Sequence, residues 1–268
     1  MRSLAIQIDD LGKQYVAPRG RRADLRESLM STLRYPFRPK PMNWSHRDRP
    51  PRWALRHVSV EIHQGETLGV IGHNGGGKST LLKLLAGITR PTEGDVEIRG
   101  KVAALLDPGA GLHPELTGRE NIFLLASLMG MRHGEMKTKF ADIIDFASLH
   151  NFLDTPLKHY SSGMHVRLAF SVFAHLEADI LLVDDVLDEA DATFQQAFRT
   201  RMLDWAARGR TLIFVSHDLE YVHRLCRRAV VFAEGRLSYM GPVVSALDHY
   251  LSSPKVIAEL NLCLADPA

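Results

Sequence analysis

Residues 72–80 read Gly-His-Asn-Gly-Gly-Gly-Lys-Ser-Thr, the spacing G-x-x-x-x-G-K-[ST], between the apolar run 67–71 and a helical stretch beginning near Ser79. A strand that enters a glycine loop and leaves it as a helix places several backbone N–H groups around one point. Gly75, Gly76 and Gly77 carry no Cβ to block the approach of an anion, and the helix N-terminus adds the positive end of its dipole. Lys78 adds a cation suited to β- and γ-phosphate oxygens, and the Ser79 hydroxyl is an oxygen ligand for Mg²⁺. With Gly72, His73, Asn74 and Thr80, these residues form a candidate triphosphate cradle.

The remaining pattern says what sheet carries that loop. Apolar runs of the buried-strand type recur at 102–106, 180–183, 211–215 and 229–232, with shorter period-two alternation at 4–8 and 57–62. Helical stretches at 80–86, 119–129, 140–153, 163–175 and 195–207 separate them. Strands alternating with helices of this length predict an α/β chain with a mostly parallel sheet covered on its faces. With 268 residues, 45% of them hydrophobic, the chain can bury a real core in one large domain or two small ones, which excludes disorder. No internal repeat is present.

Cys226 and Cys263 stand far apart and outside any CxxC pair, so neither a disulfide framework nor a zinc module is indicated, and a reducing compartment fits. No histidine group has metal-ligand spacing. No apolar run approaches the roughly 20 residues that span a bilayer. The apolar stretch at the start breaks too early for a signal peptide. The expectation is a cytosolic, soluble chain.

The net charge of +2 hides an uneven distribution. Residues 17–52 hold 10 Lys/Arg and 3 Asp/Glu, a balance of +7 that leaves −5 on the other 232 residues. Six of the 13 prolines fall in the same stretch, which reads as an insertion. Within it, residues 23–35 have helical character: Leu25, Leu29 and Leu33 recur every four positions beside Met30, while Arg22, Arg26 and Arg34 supply charge. Such a basic amphipathic helix suits an anionic membrane surface, a partner protein, or the face of its own domain.

Two further groups carry chemistry. Residues 180–185, Ile-Leu-Leu-Val-Asp-Asp, end a buried strand in acids at the edge of the sheet where ligands bind. Asp184 is placed to hold Mg²⁺ through water, and Asp185 to face an attacking water. Residues 160–164, Tyr-Ser-Ser-Gly-Met, put Ser161 at a helix N-cap, with Ser162 and Gly163 leaving the first N–H groups open to an anion.

The order of these groups resembles the ATP-binding cassette (ABC) ATPases from about residue 4 to residue 250. Residues 72–80 look like the Walker A loop, 160–164 like the LSGGQ signature, 180–185 like Walker B and 187–191 like the D-loop. His217, in Val-Ser-His-Asp, resembles the switch histidine that senses the γ-phosphate. Tyr15 occupies the place of the aromatic that stacks on adenine, with Trp53 the alternative. The family fold that this implies is an α/β P-loop NTPase with a mostly parallel core sheet, an antiparallel β subdomain and a helical subdomain at about 115–175. Residues 1–250 would form the ATPase domain and 251–268 a short tail without a carbohydrate-binding domain.

The YSSGM variant, the stretch 103–122, Trp53-Ala54-Leu55-Arg56 and Phe194-Gln195 are similar to the ATPase subunits of polysaccharide exporters, which move O-antigen, capsule or teichoic-acid polymers. The resemblance implies ATP and Mg²⁺ as ligands, a homodimer with two composite sites, and a separate membrane-spanning permease. It also implies a lipid-linked polysaccharide cargo, helix 23–35 near the membrane-facing substrate entrance, and a peripheral location on the cytoplasmic face of the bacterial inner membrane. No nucleic-acid partner is expected. Residues 107–113 look like the Q-loop region, but Asp107 stands where the family usually has Gln. An acid there still binds Mg²⁺ or its waters while losing the amide's donors. Asp185 stands where the family has Glu as general base, one methylene short, and a misplacement of about 1 Å costs roughly 100-fold in rate. Slow hydrolysis is the expectation.

Overall fold

The computed structural model describes residues 3–15, 52–184 and 190–257. The basic helix expected at 23–35, the general base expected at Asp185, residues 187–189 of the D-loop-like segment and Cys263 lie outside them.

Two sheets organise the described chain. Strands β1 (Leu4–Tyr15), β2 (Arg52–His63) and β4 (Glu93–Ile98) form an antiparallel sheet in the order β2-β1-β4. The larger sheet has β3 (Thr67–Gly72), β5 (Val102–Leu105), β6 (Ile180–Val183), β7 (Thr211–Val215), β8 (Arg228–Ala233) and β9 (Arg236–Pro242). Its order is β5-β6-β7-β3-β8-β9, parallel except for β9, which runs antiparallel to β8.

The parallel strands read as unbroken apolar runs because both faces are covered. Leu181, Val183, Leu212, Phe214, Ala229 and Val231 face one core, against helices α2 (Gly118–Leu128), α3 (His133–Ala147), α4 (Ser162–Ala174) and α5 (Ala192–Ala207). Their neighbours Ile180, Leu182, Ile213, Val215, Val230 and Phe232 face the other core, shared with α1 (Lys78–Leu85) and the antiparallel sheet. Helices α6 (Leu219–Leu225) and α7 (Val243–Leu251) complete the order.

Several boundaries differ from the sequence reading. The helix expected over 140–153 is α3, which begins at His133 and stops at Ala147, where Ser148 turns into the left-handed region at φ 55. Leu149 and Leu153 stay buried in the same core, so the apolar period outlasts the helix. Strands expected at 4–8 and 57–62 each run for 12 residues. They continue through a paired irregularity where Asp10 (φ 47) and His57 (φ 54) adopt positive φ and their side chains meet at 2.8 Å. Strands β4 and β9 and helices α6 and α7 were not anticipated.

Candidate functional site

All five parallel strands end at one edge, and the loop after each lines a cleft of about 960 Å³. Leu106 follows β5, Asp184 follows β6, His217 follows β7, residues 73–77 follow β3, and Glu234 with Gly235 follow β8. This is where ligands bind in open α/β sheets: only the strand ends converge backbone and side-chain groups from separate loops.

The glycine loop is built as its spacing predicts. Gly77 is the N-cap of α1 at φ 106, and a Cβ there would lie 2.7 Å from the Ala54 carbonyl oxygen, so this position admits no side chain. Gly75, at φ 75, has nothing within 4 Å of the same position; its requirement is conformational. Lys78 is 7% exposed, and its ammonium donates to the Gly72 and His73 carbonyls at 2.6 and 3.0 Å. The cation is therefore held inside the curve of the loop, where opposite charge from phosphate is felt at low dielectric. Asn74, Ser79 and Thr80 line the same cleft.

Asp184 is fixed by its own N–H, which donates to the Leu105 carbonyl at 3.0 Å. His217 is exposed in the cleft, between buried β7 and α6. The start of α6 is held by Asp218, which accepts the Tyr221 N–H at 2.9 Å and pairs with Arg199 at 2.7 Å. Ser79 and Asp184 offer hard oxygen donors to one space, the donor set Mg²⁺ prefers when substrate phosphates and water complete its shell. Among the described residues no group of three or more His, Cys, Asp or Glu could hold a metal ion.

Tyr15 and Trp53 both line the mouth of the cleft, on adjacent antiparallel strands. Each ring carries a cation: the Arg56 guanidinium lies 4.5 Å from the Trp53 ring centre and the Lys13 ammonium 5.3 Å from that of Tyr15, which is 44% exposed. Sequence reasoning did not assign Arg52, Glu234, Gly235 or Lys255 to the site. Glu234-Gly235 forms the turn of the β8–β9 hairpin, with both residues at positive φ, and carries no nucleotide signal of its own.

Two groups stand apart from this cleft. Asp107 does not line it; its carboxylate accepts the Gly109 N–H at 2.8 Å in a local turn, and the wall there is Leu106. Ser161, Ser162 and Gly163 lie at the start of α4, with Ser161 capping it by accepting the Met164 N–H at 3.3 Å. Tyr160 is structural: it is buried and donates its hydroxyl to the Phe152 carbonyl at 2.6 Å. Burial pushes its pKa up. Asp191, the last residue of the D-loop-like segment, caps α5 through the Phe194 N–H and pairs with Arg167 of α4. The hydrogen bond from Arg167 holds the Asp191 carboxyl below the usual carboxylate range.

Residues 55–188 match the family model described as ABC transporter. The chain belongs to the ABC transporter family. The cassette is 43% identical over 197 residues to the O-antigen export system ATP-binding protein RfbB of Klebsiella pneumoniae, covering 74% of this chain and 80% of that one. It is 40% identical over 215 residues to RfbB of Myxococcus xanthus, covering 80% of this chain and 49% of that one. It is 42% identical over 201 residues to the teichoic acids export ATP-binding protein TagH of Enterococcus faecalis, covering 75% of this chain and 45% of that one. The cassette thus spans about half the length of the last two relatives. Among solved structures, an ATP-binding subunit of an ABC transporter superposes with a TM-score of 0.69 at 21% identity, covering 98% of this chain and all of that one. A dimeric ATP-binding cassette bound to ADP and Pi superposes at 0.68 with 19% identity, covering 89% and 98%. Both show the fold, an ABC ATPase cassette with a mixed α/β sheet.

Proposed function

We propose that the cassette binds and hydrolyses ATP to drive export of a lipid-linked polysaccharide across the cytoplasmic membrane, working as a homodimer beneath a separate permease. The reading rests on one observation: Lys78, Ser79, Asp184 and His217 line a single cleft in a chain about 40% identical to O-antigen and teichoic-acid export ATP-binding proteins.

In this mechanism the loop N–H groups and Lys78 bind the β- and γ-phosphates of substrate ATP, and charge building on the phosphoryl oxygens is neutralised without reorganisation. Ser79 and Asp184 would hold Mg²⁺, which supplies further charge neutralisation when bound. Asp107 is retained as a more distant acid that would act through water. Asp185, next in the chain to Asp184, orients the attacking water and takes its proton, and His217 hydrogen-bonds the γ-phosphate. Tyr15 stacks on adenine, a role supported by its exposure at the mouth of the cleft.

Ser161, Ser162 and Gly163 lie outside the cleft, so they reach nucleotide only from a second copy, as the helix N-terminus facing the γ-phosphate. Among the described residues no helix is long and apolar enough to cross a membrane, which suits a subunit that docks peripherally on a permease. Helix 23–35 would contribute contacts at the membrane entrance.

The test is co-expression with the cognate small permease, purification, and reconstitution with lipid-linked polymer. The expected results are co-purification and ATP-dependent export that Lys78→Ala abolishes. ATP binding unaffected by Lys78→Ala, or export independent of the cassette, would overturn the proposal.

A further inference from the structure

Two contacts reach the phosphate loop from the end of the described chain. The Tyr250 ring, on the last turn of α7, packs against the His73 ring with centroids 5.4 Å apart. The His73 carbonyl is the acceptor on which both the Gly76 N–H and the Lys78 ammonium converge, each at 3.0 Å. Tyr250 therefore bears on the residue whose backbone holds the catalytic cation. On the other side, Lys255 pairs with Glu234 at 2.7 Å, and the adjoining Gly235 N–H donates to the Gly76 carbonyl at 3.1 Å. The Gly235 carbonyl in turn accepts the Arg56 N–H at 2.8 Å, tying the same turn to β2.

These ties span a cavity of about 420 Å³ that His73, Glu234, Tyr250, Ser253 and Lys255 help to line. The Ser253 hydroxyl in that wall is buried with no hydrogen-bond partner. The two contacts thus meet the loop from either side of this cavity, in addition to its packing on the Ala54 and Phe232 backbone.

We propose that Tyr250 and Lys255 are positioning residues that hold the phosphate loop in its nucleotide-binding shape. The proposal rests on the nucleotide reading of the cleft and assigns its loop geometry to contacts outside the family motifs. Tyr250 acts through His73 and Lys255 through Glu234 and Gly235, and because both ties meet at Gly76 across one cavity, the double variant measures the coupling between them.

The experiment titrates a fluorescent ATP analogue into the full chain and measures steady-state hydrolysis for Tyr250→Leu, Tyr250→Phe, Lys255→Met, the double variant Tyr250→Leu/Lys255→Met, and Lys78→Ala. Tyr250→Leu should raise Kd and KM about fivefold, the effect of losing one aromatic contact, with kcat within about twofold. Tyr250→Phe, which keeps the ring, should bind the analogue more tightly than Tyr250→Leu. Lys255→Met, which breaks an exposed pair, should raise Kd by about twofold, and the double variant should bind more weakly than either single variant. Unchanged affinity in Tyr250→Leu, or a Tyr250→Phe as impaired as Tyr250→Leu, overturns the role of Tyr250; Lys255→Met, at the surface, keeps the second tie testable if Tyr250→Leu fails to fold, and unchanged affinity there overturns it. Wild-type protein that binds the analogue no better than Lys78→Ala would overturn the nucleotide reading itself, a result separate from either.

Discussion

Asn121 locks the loop before α2 onto that helix through His113: its Oδ1 accepts the His113 N–H at 2.7 Å and its Nδ2 donates to the His113 carbonyl at 3.0 Å. The same amide reaches the Leu116 and Thr117 carbonyls at 3.0 and 2.9 Å, and Asn121 is 0% exposed. Replacing it with the similar-sized Leu leaves the His113 N–H without its acceptor, whereas the His113, Leu116 and Thr117 carbonyls each keep another N–H donor. Asn121→Leu should lower stability by about 1–3 kcal/mol, read as a fall in the urea midpoint at unchanged m-value. A loss below about 1 kcal/mol would mean that the loop finds other partners.

Gly75 and Gly77 belong to one motif, yet they should respond differently to alanine. At Gly77 the added Cβ meets Leu55 Cδ2 at 2.5 Å and the Ala54 oxygen at 2.7 Å, and that backbone cannot withdraw without moving β2. At Gly75 the cost is only the left-handed conformation, about 1–2 kcal/mol. Gly77→Ala should abolish binding of an ATP analogue and lower the melting temperature, while Gly75→Ala should fold with at most a small loss of stability. Equal melting temperatures for the two would contradict the steric account.

How far the sequence spoke depended on whether a residue's role was local. The loop 72–80 was legible because its chemistry is complete within nine neighbours, and β6 and β7 because both faces are buried. Strand β4, Glu-Gly-Asp-Val-Glu-Ile, has an exposed, polar pattern at the edge of a three-stranded sheet and leaves no apolar run to find. Strand β9 is likewise an edge, exposed at every second position. Lys255 was invisible as a cleft residue because only the fold brings it to Glu234. Asp107 shows the converse: its position in a motif suggested a metal contact, while its carboxylate is engaged by the neighbouring Gly109 N–H.

Asp185 offers the most direct test of the hydrolytic reading. Under the proposed mechanism a general base one methylene shorter than the family's usual Glu loses alignment with the water, and about 1 Å of misplacement corresponds to roughly 100-fold in rate. Asp185→Glu should therefore raise kcat by about tenfold or more at little change in KM, and Asp185→Asn should remove turnover while sparing nucleotide binding. Unchanged or lower turnover in Asp185→Glu would show that this site is already aligned for the shorter acid.

His175, at the C-terminal end of α4, should make the packing around that helix sensitive to mild acid. Burial lowers its pKa, although its Nδ1 lies 2.7 Å from the Ser171 carbonyl. Arg201 and Lys139 add to the lowering and Asp142 opposes it. The folded state thus favours neutral imidazole, donating through Nδ1, while the unfolded chain protonates near the ordinary value of about 6.5. Above that pH both states are neutral and stability from this group is constant. As pH falls through it the unfolded state binds the proton first, so stability declines until the folded-state pKa is passed. His175→Asn keeps a donor for Ser171 without a titration in this range. The melting temperature of the wild type should therefore fall more steeply than that of His175→Asn below about pH 6.5. Parallel curves would exclude His175 as the source.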